Sequence, residues 1–331
     1  MKKRLFVGID TSNYTTSAAL CDEAGNVLCN AKLLLPVAEG ERGLRQSDAV
    51  FHHVRNLPTV VEQLRQTVAG IGEDGEIVAI GVSARPRDAE GSYMPCFLSG
   101  VAAAETAGAV LGVPVLTFSH QAGHIMAALY SANATHLIGQ HFAAFHVSGG
   151  TTEVLYVKPH GEHVFDVTLL GGTGDINAGQ AIDRAGVYMG LRFPAGAEME
   201  RLAETYAGKL PQAKVSVQGM TCNLSGVENK ARQMFDKTGD TAMTSAFVLD
   251  FVGRTLCGLR DGVREALGDL PIVYAGGVMS CLRIRRMLAE EGACFAQPQF
   301  SSDNAAGTAL LARYTFMKSE REYVGDSEYF R

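Results

Sequence analysis

The 331-residue chain has no excess of positive charge: 29 Lys and Arg face 35 Asp and Glu, for a net charge of −6. A global basic field for nucleic acid is therefore excluded, and a nucleic-acid partner would need a local basic patch or a helper protein. Disulfide scaffolding is excluded as well, since the seven cysteines are odd in number and widely scattered, as in a reducing compartment. No apolar run is long enough to span a membrane. Leu5–Ile9 is far too short, and Asp10 closes it. The expectation is a soluble cytoplasmic protein with no membrane association. What is abundant is hydrophobic residues, at 47%, and glycine, at 37 residues. Together they suit a loop-punctuated α/β fold of two domains or two lobes.

Residues 4–34 read as three strands. The first, Leu5–Ile9, runs into the polar turn Asp10-Thr11-Ser12-Asn13, and a hairpin return follows. Asp10 and its hydroxyl neighbours are placed to meet phosphate or Mg²⁺, though an ordinary hairpin uses the same residues. An amphipathic helix is expected over 48–70 and a strand over 76–82. The strand leads to a loop bearing Arg85 and Arg87, which is either an anion site or an exposed basic loop. A close-packed helix over 98–111 and a strand over 113–118 deliver the chain to Ser119-His120-Gln121-Ala122-Gly123-His124. Histidines four apart share one helix face and can reach one ion. Alone, the pair is more often two ordinary helix histidines. It also lacks the glutamate of a zinc-peptidase helix, because Gln121 and Ala122 fill the intervening positions.

A second hairpin follows: strand 142–147, the turn Ser148-Gly149-Gly150-Thr151-Thr152, and a return strand over 153–157. This repeat of the opening pattern suggests two related lobes. Next come a strand over 164–170, the turn Gly171-Gly172-Thr173-Gly174, and helices over 178–191 and 197–206. An irregular stretch occupies 207–224, and two more helices are expected over 226–237 and 240–267. A buried strand over 271–274 then meets Ala275-Gly276-Gly277-Val278 and a helix from 279 to 291, the arrangement in which a helix N-terminus meets a nucleotide. Ser301-Ser302-Asp303-Asn304 caps a last helix to about 317, before a charged, loosely held tail. Three glycine turns could serve one polyanion. Asp303 could complete a His120/His124/Asp303 set, whose mixed N/O donors suit Zn²⁺ or Fe²⁺ better than Mg²⁺.

In this order the motifs resemble the universal tRNA threonylcarbamoyladenosine transferase family, TsaD in bacteria and formerly called O-sialoglycoprotein endopeptidase. The resemblance rests on Gly8-Ile9-Asp10-Thr11-Ser12, His53-Val54-Arg55, His120-x-x-x-His124, Val147–Thr152, Ala178–Arg184, Ser225-Gly226, Ala275–Val278 and Asp303-Asn304. It implies the actin, hexokinase and heat-shock-protein ATPase fold: two α/β lobes with the ligand in the interlobe cleft. One lobe would comprise residues 1–118 and 306–331, the other 119–305. It implies metal ligation by His120, His124 and Asp303 and catalytic roles for Asp10 and Asp183. Ligand contacts would fall on His146, Val147, Ser148, Gly149, Gly150, Asp183, Gly196, Gly276, Gly277 and Cys281. The cofactors would be one divalent metal, Fe or Zn, and an adenine nucleotide or adenylate, with Mg²⁺ as its companion ion. The reaction would pass threonylcarbamoyl from its adenylate to the N6 amine of the tRNA adenosine next to the anticodon. Partner proteins would help to bind tRNA, in a hetero- or homodimer.

The chain also departs from the family pattern. Ala84-Arg85-Pro86-Arg87 stands where the family has Gly-Pro-Gly, Thr151 stands for a histidine, Cys281 for an asparagine and Gln180 for a glutamate. These changes imply a divergent paralogue. The competing reading is an altered-substrate or non-catalytic paralogue that acts as a nucleotide-binding partner subunit.

Overall fold

A computed structural model describes residues 2–12, 14–36, 44–297, 300 and 305–328. The chain divides into two compact units. Unit 1 is built from the N-terminal segment to Tyr130, His160–Asp166 and the C-terminal helix; the rest forms unit 2. The helix that carries His120 and His124 thus belongs to unit 1.

Unit 1 is organised by strands β1 (Lys3–Ser12), β2 (Thr15–Asp22), β3 (Val27–Leu34), β4 (Gly75–Arg85) and β5 (Val115–Ser119), in the order β3-β2-β1-β4-β5. The first three form an antiparallel meander, and β1, β4 and β5 run parallel. Alternation along β1 assigns its residues to opposite faces. Val7 and Ile9 join a core with Leu57, Val60 and Leu64 of α1 (Gln46–Ile71) and Ala104 of α2 (Phe97–Leu111). Gly8 faces α9 (Ala305–Glu328), where a Cβ would lie 2.1 Å from the Ala305 carbonyl oxygen. Pro58 is tolerated inside α1 because the carbonyl it strands belongs to Val54, a residue on the exposed side.

The second sheet, in unit 2 except for His160 and Val164–Asp166 at strand ends, holds β6 (Phe142–Val147), β7 (Thr152–His160), β8 (Val164–Thr173), β9 (Ser216–Gln218), β10 (Thr221–Asn223), β11 (Ile272–Ala275) and β12 (Ala293–Phe295). Their order is β12-β11-β6-β7-β8-β10-β9. Leaving aside the β9–β10 pair, this repeats the unit 1 pattern: a three-strand meander followed by two parallel additions. The core packs α4 (Ala178–Tyr188), α5 (Gly196–Glu204), α6 (Ser225–Thr238), α7 (Thr241–Leu267) and α8 (Leu282–Leu288) around the sheet. α7 is long and apolar enough to cross a membrane, yet 67% of its most apolar window is buried in the fold. Its hydropathy is that of a core helix.

Several boundaries differ from the sequence reading. β4 continues through Ala84 to Arg85, because parallel pairing with β5 extends to Ser119. The stretch 171–173 is strand rather than turn: the Gly172 and Gly174 amides donate to Met220 and Cys222 of the β9–β10 hairpin segment. That hairpin occupies part of the stretch read as irregular. The last helix continues past 317 to Glu328.

His53 on α1 is fully buried and pairs through Nδ1 with the Thr16 hydroxyl at 2.9 Å. Burial pushes its imidazole down from the ordinary 6.5 to about 4, against Asp10 and the Ser12 backbone, which favour the charged form. Between these values the unfolded chain takes up a proton that the folded protein refuses. Stability therefore falls as pH drops from 6.5 to 4, by roughly 3 kcal/mol. His53→Gln is expected to flatten that part of the pH profile in urea unfolding. A variant that keeps the wild-type slope would contradict this assignment.

Candidate functional site

The histidine helix, α3 (His120–Ser131), starts directly at the end of β5. This brings His120 beside the C-terminal end of β1, two parallel strands away. Its Nδ1 lies 2.9 Å from Oδ2 of Asp10, and Oδ1 of Asp10 accepts the Ser12 amide at 3.0 Å. Asp10 is 1% exposed. Burial alone would raise its carboxyl, but His120, the Ser83 hydroxyl and Ser12 hold it below the usual range. A carboxylate on Nδ1 fixes the ring proton there and puts the lone pair on Nε2, the arrangement of a metal-binding histidine with its supporting carboxylate. The His120 and His124 ring centroids are 4.6 Å apart and edge-to-face. Two imidazole donors on one helix face, one of them with its tautomer set, fit a divalent metal. Among the described residues no group of three His, Cys, Asp or Glu forms a metal cluster, and Asp303 lies outside those residues.

The crossing of α3 with α9 explains a small-residue signal in the last helix. A Cβ on Gly307 would stand 1.9 Å from the Gly123 carbonyl oxygen and 3.0 Å from the Ala127 amide nitrogen. Gly307 thus lets α9 lie against the backbone between the two histidines. Arg85 does not offer a ready anion site: its guanidinium pairs with Asp88, which also accepts the Ser119 hydroxyl. Sequence reasoning missed Asp88 and Ser119. Ser119 carried a helix-start signal, a hydroxyl immediately before the first helical residue.

In unit 2 the turn after β6 meets the start of α4. A Cβ on Gly179 would lie 2.6 Å from the Gly149 nitrogen, and the Gly179 amide donates to the Ser148 carbonyl at 3.1 Å. Within the turn, the Ser148 hydroxyl accepts the Gly150 and Thr151 amides. That shapes the loop and occupies two of the donors expected to cradle a phosphate. The two glycines themselves border open space. Gln180 closes a capping box with Asn177, a role that glutamine and glutamate share. Gly276 packs against the end of β6: its φ is +104° and a Cβ would lie 2.2 Å from the Val147 carbonyl oxygen. The turns at 148–150 and 276–277 are thereby brought together, with His146 and Val147 on the strand between them.

The helix after Gly277 is not the expected one. Residues 277–280 form a 3₁₀ turn, Cys281 is extended, and α8 begins only at Leu282. Its Leu282 amide is taken by the Glu200 carboxylate at 2.6 Å. Glu200, reaching over from α5, neutralises the end that was expected to face a ligand.

Asp183 on α4 accepts the Ala195 amide at 2.8 Å and so fixes the entry to Gly196. Burial raises its carboxyl, partly offset by that bond. Burial also pushes the Cys281 thiol up to about 11, so it is thiol rather than thiolate near neutrality. Cys281→Ser is expected to leave ligand binding and turnover within about twofold, and iodoacetamide mapping at pH 7.5 to show slow labelling at Cys281. Rapid alkylation there would contradict the burial argument.

A family model described as TsaD, tRNA N6-adenosine threonylcarbamoyltransferase, matches residues 39–310. A protein of that name from Streptococcus pneumoniae (strain Taiwan19F-14) is 28% identical over 303 residues, covering 88% of this chain and 85% of its own. A namesake from Streptococcus suis (strain 05ZYH33) is 28% identical over 328 residues, covering 94% and 92%. Among solved structures, full-length HypF in its phosphate- and nucleotide-bound form superposes with a TM-score of 0.56 at 12% identity, over 95% of this chain and 55% of that one. Component A of the Acidaminococcus fermentans (R)-2-hydroxyglutaryl-CoA dehydratase gives 0.50 at 15% identity, over 94% and 98%. These likenesses agree with the two-unit α/β fold and its repeated strand order.

Proposed function

The chain belongs to the tRNA N6-adenosine threonylcarbamoyltransferase (TsaD) family, and from that membership we propose that it transfers threonylcarbamoyl from threonylcarbamoyl-adenylate to the N6 amine of the tRNA adenosine next to the anticodon. It would do so in the cytoplasm, with partner proteins helping to hold the tRNA. The observation that carries the metal-dependent form of this reading is the Asp10–His120 bond beside His124. His120, His124 and Asp303 would hold one Fe or Zn. Bound there, the metal would supply Lewis-acid polarisation and orientation of the acyl group.

The residues of the chain have distinct tasks in this reading. Asp10 orients His120 and is a positioning residue, since both its oxygens are engaged. Asp183 and Gly196 form one nucleotide contact, tied together through Ala195. His146–Gly150 and Gly276–Gly277 form the other, supported by their close packing. Cys281 lines this second group without acting as a nucleophile. In the transfer, the adenosine nitrogen bonds to the carbamoyl carbon and the carbon–oxygen bond to the adenylate phosphate breaks. AMP leaves, and the amine loses one proton to solvent.

The test is mass spectrometry of nucleosides from unmodified tRNA incubated with the metal-loaded protein, its partner proteins and threonylcarbamoyl-adenylate. Threonylcarbamoyladenosine beside the anticodon is expected. Ordinary adenosine throughout would overturn the reading and leave a non-catalytic partner role. Asp183→Asn is expected to raise the KM for the adenylate about tenfold or more with a smaller change in kcat, as loss of a ground-state contact does.

A further inference from the structure

We propose that Asp88, held by Arg85 and acting through Ser119, is a positioning residue for the His120–His124 pair. The inference rests on the metal reading of that pair. α3 opens with a residue that must be held in place. His120 is the first helical residue, so it sits in the turn whose backbone amides have no partners within the helix. A frayed first turn would carry the imidazole away from Asp10 and His124.

The segment after β4 closes that turn. The Pro86 carbonyl accepts the Gln121 amide at 3.0 Å. Ser119, only 1% exposed, accepts the Ala122 amide on Oγ at 3.1 Å and is the helix cap. A hydroxyl has one proton, and where that proton goes decides where its lone pairs point. Here it goes to Oδ2 of Asp88 at 2.5 Å, which turns the lone pairs towards Ala122. The other Asp88 oxygen accepts Arg85 through Nε at 2.8 Å and through its terminal nitrogen. The Asp88 side chain is 14% exposed, so these charge-assisted bonds are shielded from water. Arg85 aims Asp88, Asp88 aims Ser119, and Ser119 holds the first turn. Where the family resemblance gives Gly-Pro-Gly, this chain has Ala84-Arg85-Pro86-Arg87, which supplies the Arg85 guanidinium. The relay belongs to the Ala84–Asp88 sequence of this chain.

Two readouts test the relay. The first is ¹⁵N imidazole NMR of the metal-free protein, which reports the tautomer of His120. The second is titration with Co²⁺ alone, followed by its visible absorption. The wild type is expected to show His120 as a single species protonated on Nδ1. In D88A the signal becomes a tautomer mixture and Co²⁺ affinity falls roughly 10- to 100-fold, the usual effect of losing a supporting partner of a ligand. S119A reproduces D88A, and the double variant is no worse than either single one, because the two act in series. D88N, whose amide oxygen still accepts the Ser119 hydroxyl, recovers most of the affinity. Circular dichroism with matching unfolding midpoints separates these effects from misfolding. Wild-type tautomer and Co²⁺ affinity in D88A would overturn the proposal. A wild type that binds no Co²⁺ through His124 would overturn the metal reading, while the metal-free spectra still decide the relay.

Discussion

Replacing His124 with alanine is expected to abolish stoichiometric metal and, with it, transfer to tRNA. The loss should exceed the ~10- to 100-fold that removal of a supporting partner costs, because a donor atom itself is lost. The fold should survive. His124 lies on a helix whose other side is anchored by Ala122, Ile125, Met126 and Leu129, all buried, and removing one imidazole leaves those contacts in place. Parallel measurements of metal by mass spectrometry, modified nucleoside and unfolding midpoint separate the outcomes. A variant that loses metal and activity while keeping its midpoint fits. A variant that keeps wild-type metal content and turnover would return the two histidines to ordinary structural residues.

Gly307→Ala should have the largest effect on stability. The atoms a new methyl would meet are backbone atoms of α3: the Gly123 carbonyl oxygen at 1.9 Å and the Ala127 amide nitrogen at 3.0 Å. Backbone in a helix cannot rotate away as a side chain can, so α9 must move. Overpacking of a close contact costs about 1–3 kcal/mol and sometimes more, and this contact lies at the severe end. The urea midpoint is expected to fall with an unchanged slope. Metal affinity should fall with it, because α3 is the helix being pushed. An unshifted midpoint would mean that α9 does not lie against Gly123.

The architecture was legible wherever pattern alone decides it. The opening strand ends at a polar turn, the hairpin returns, and a second copy of that arrangement follows at 142–157; both copies head meanders of matching strand order. The histidine helix begins at the end of the strand that delivers the chain to His120. Elements fixed by distant partners were not legible. Gly171–Gly174 reads as a turn by composition, yet the Gly172 and Gly174 amides find the Met220 and Cys222 carbonyls on a hairpin some fifty residues away. The start of α8 depends on Glu200, 82 residues earlier. The loop after β4 was legible only as basic, through Arg85 and Arg87, because the task of Asp88 is defined by Ser119, 31 residues on.

The same distinction runs through the candidate site. His120, His124 and the glycine turns announce themselves by spacing. Asp10 was visible as a carboxylate at a strand end, but its role comes from which atom it touches. On Nδ1 of His120 it selects the donor nitrogen of the imidazole, and its own charge is held against burial by His120, Ser83 and Ser12.

X-ray absorption spectroscopy of the protein purified without chelator, beside His124→Ala, tests the metal centre most directly. The wild type should show an Fe or Zn edge at one metal per chain, with imidazole nitrogens in its first shell, at about 2.0–2.1 Å for Zn. That signal should be missing from the variant. A first shell that is unchanged when His124 is removed, or a wild type that takes up neither metal, would contradict the account.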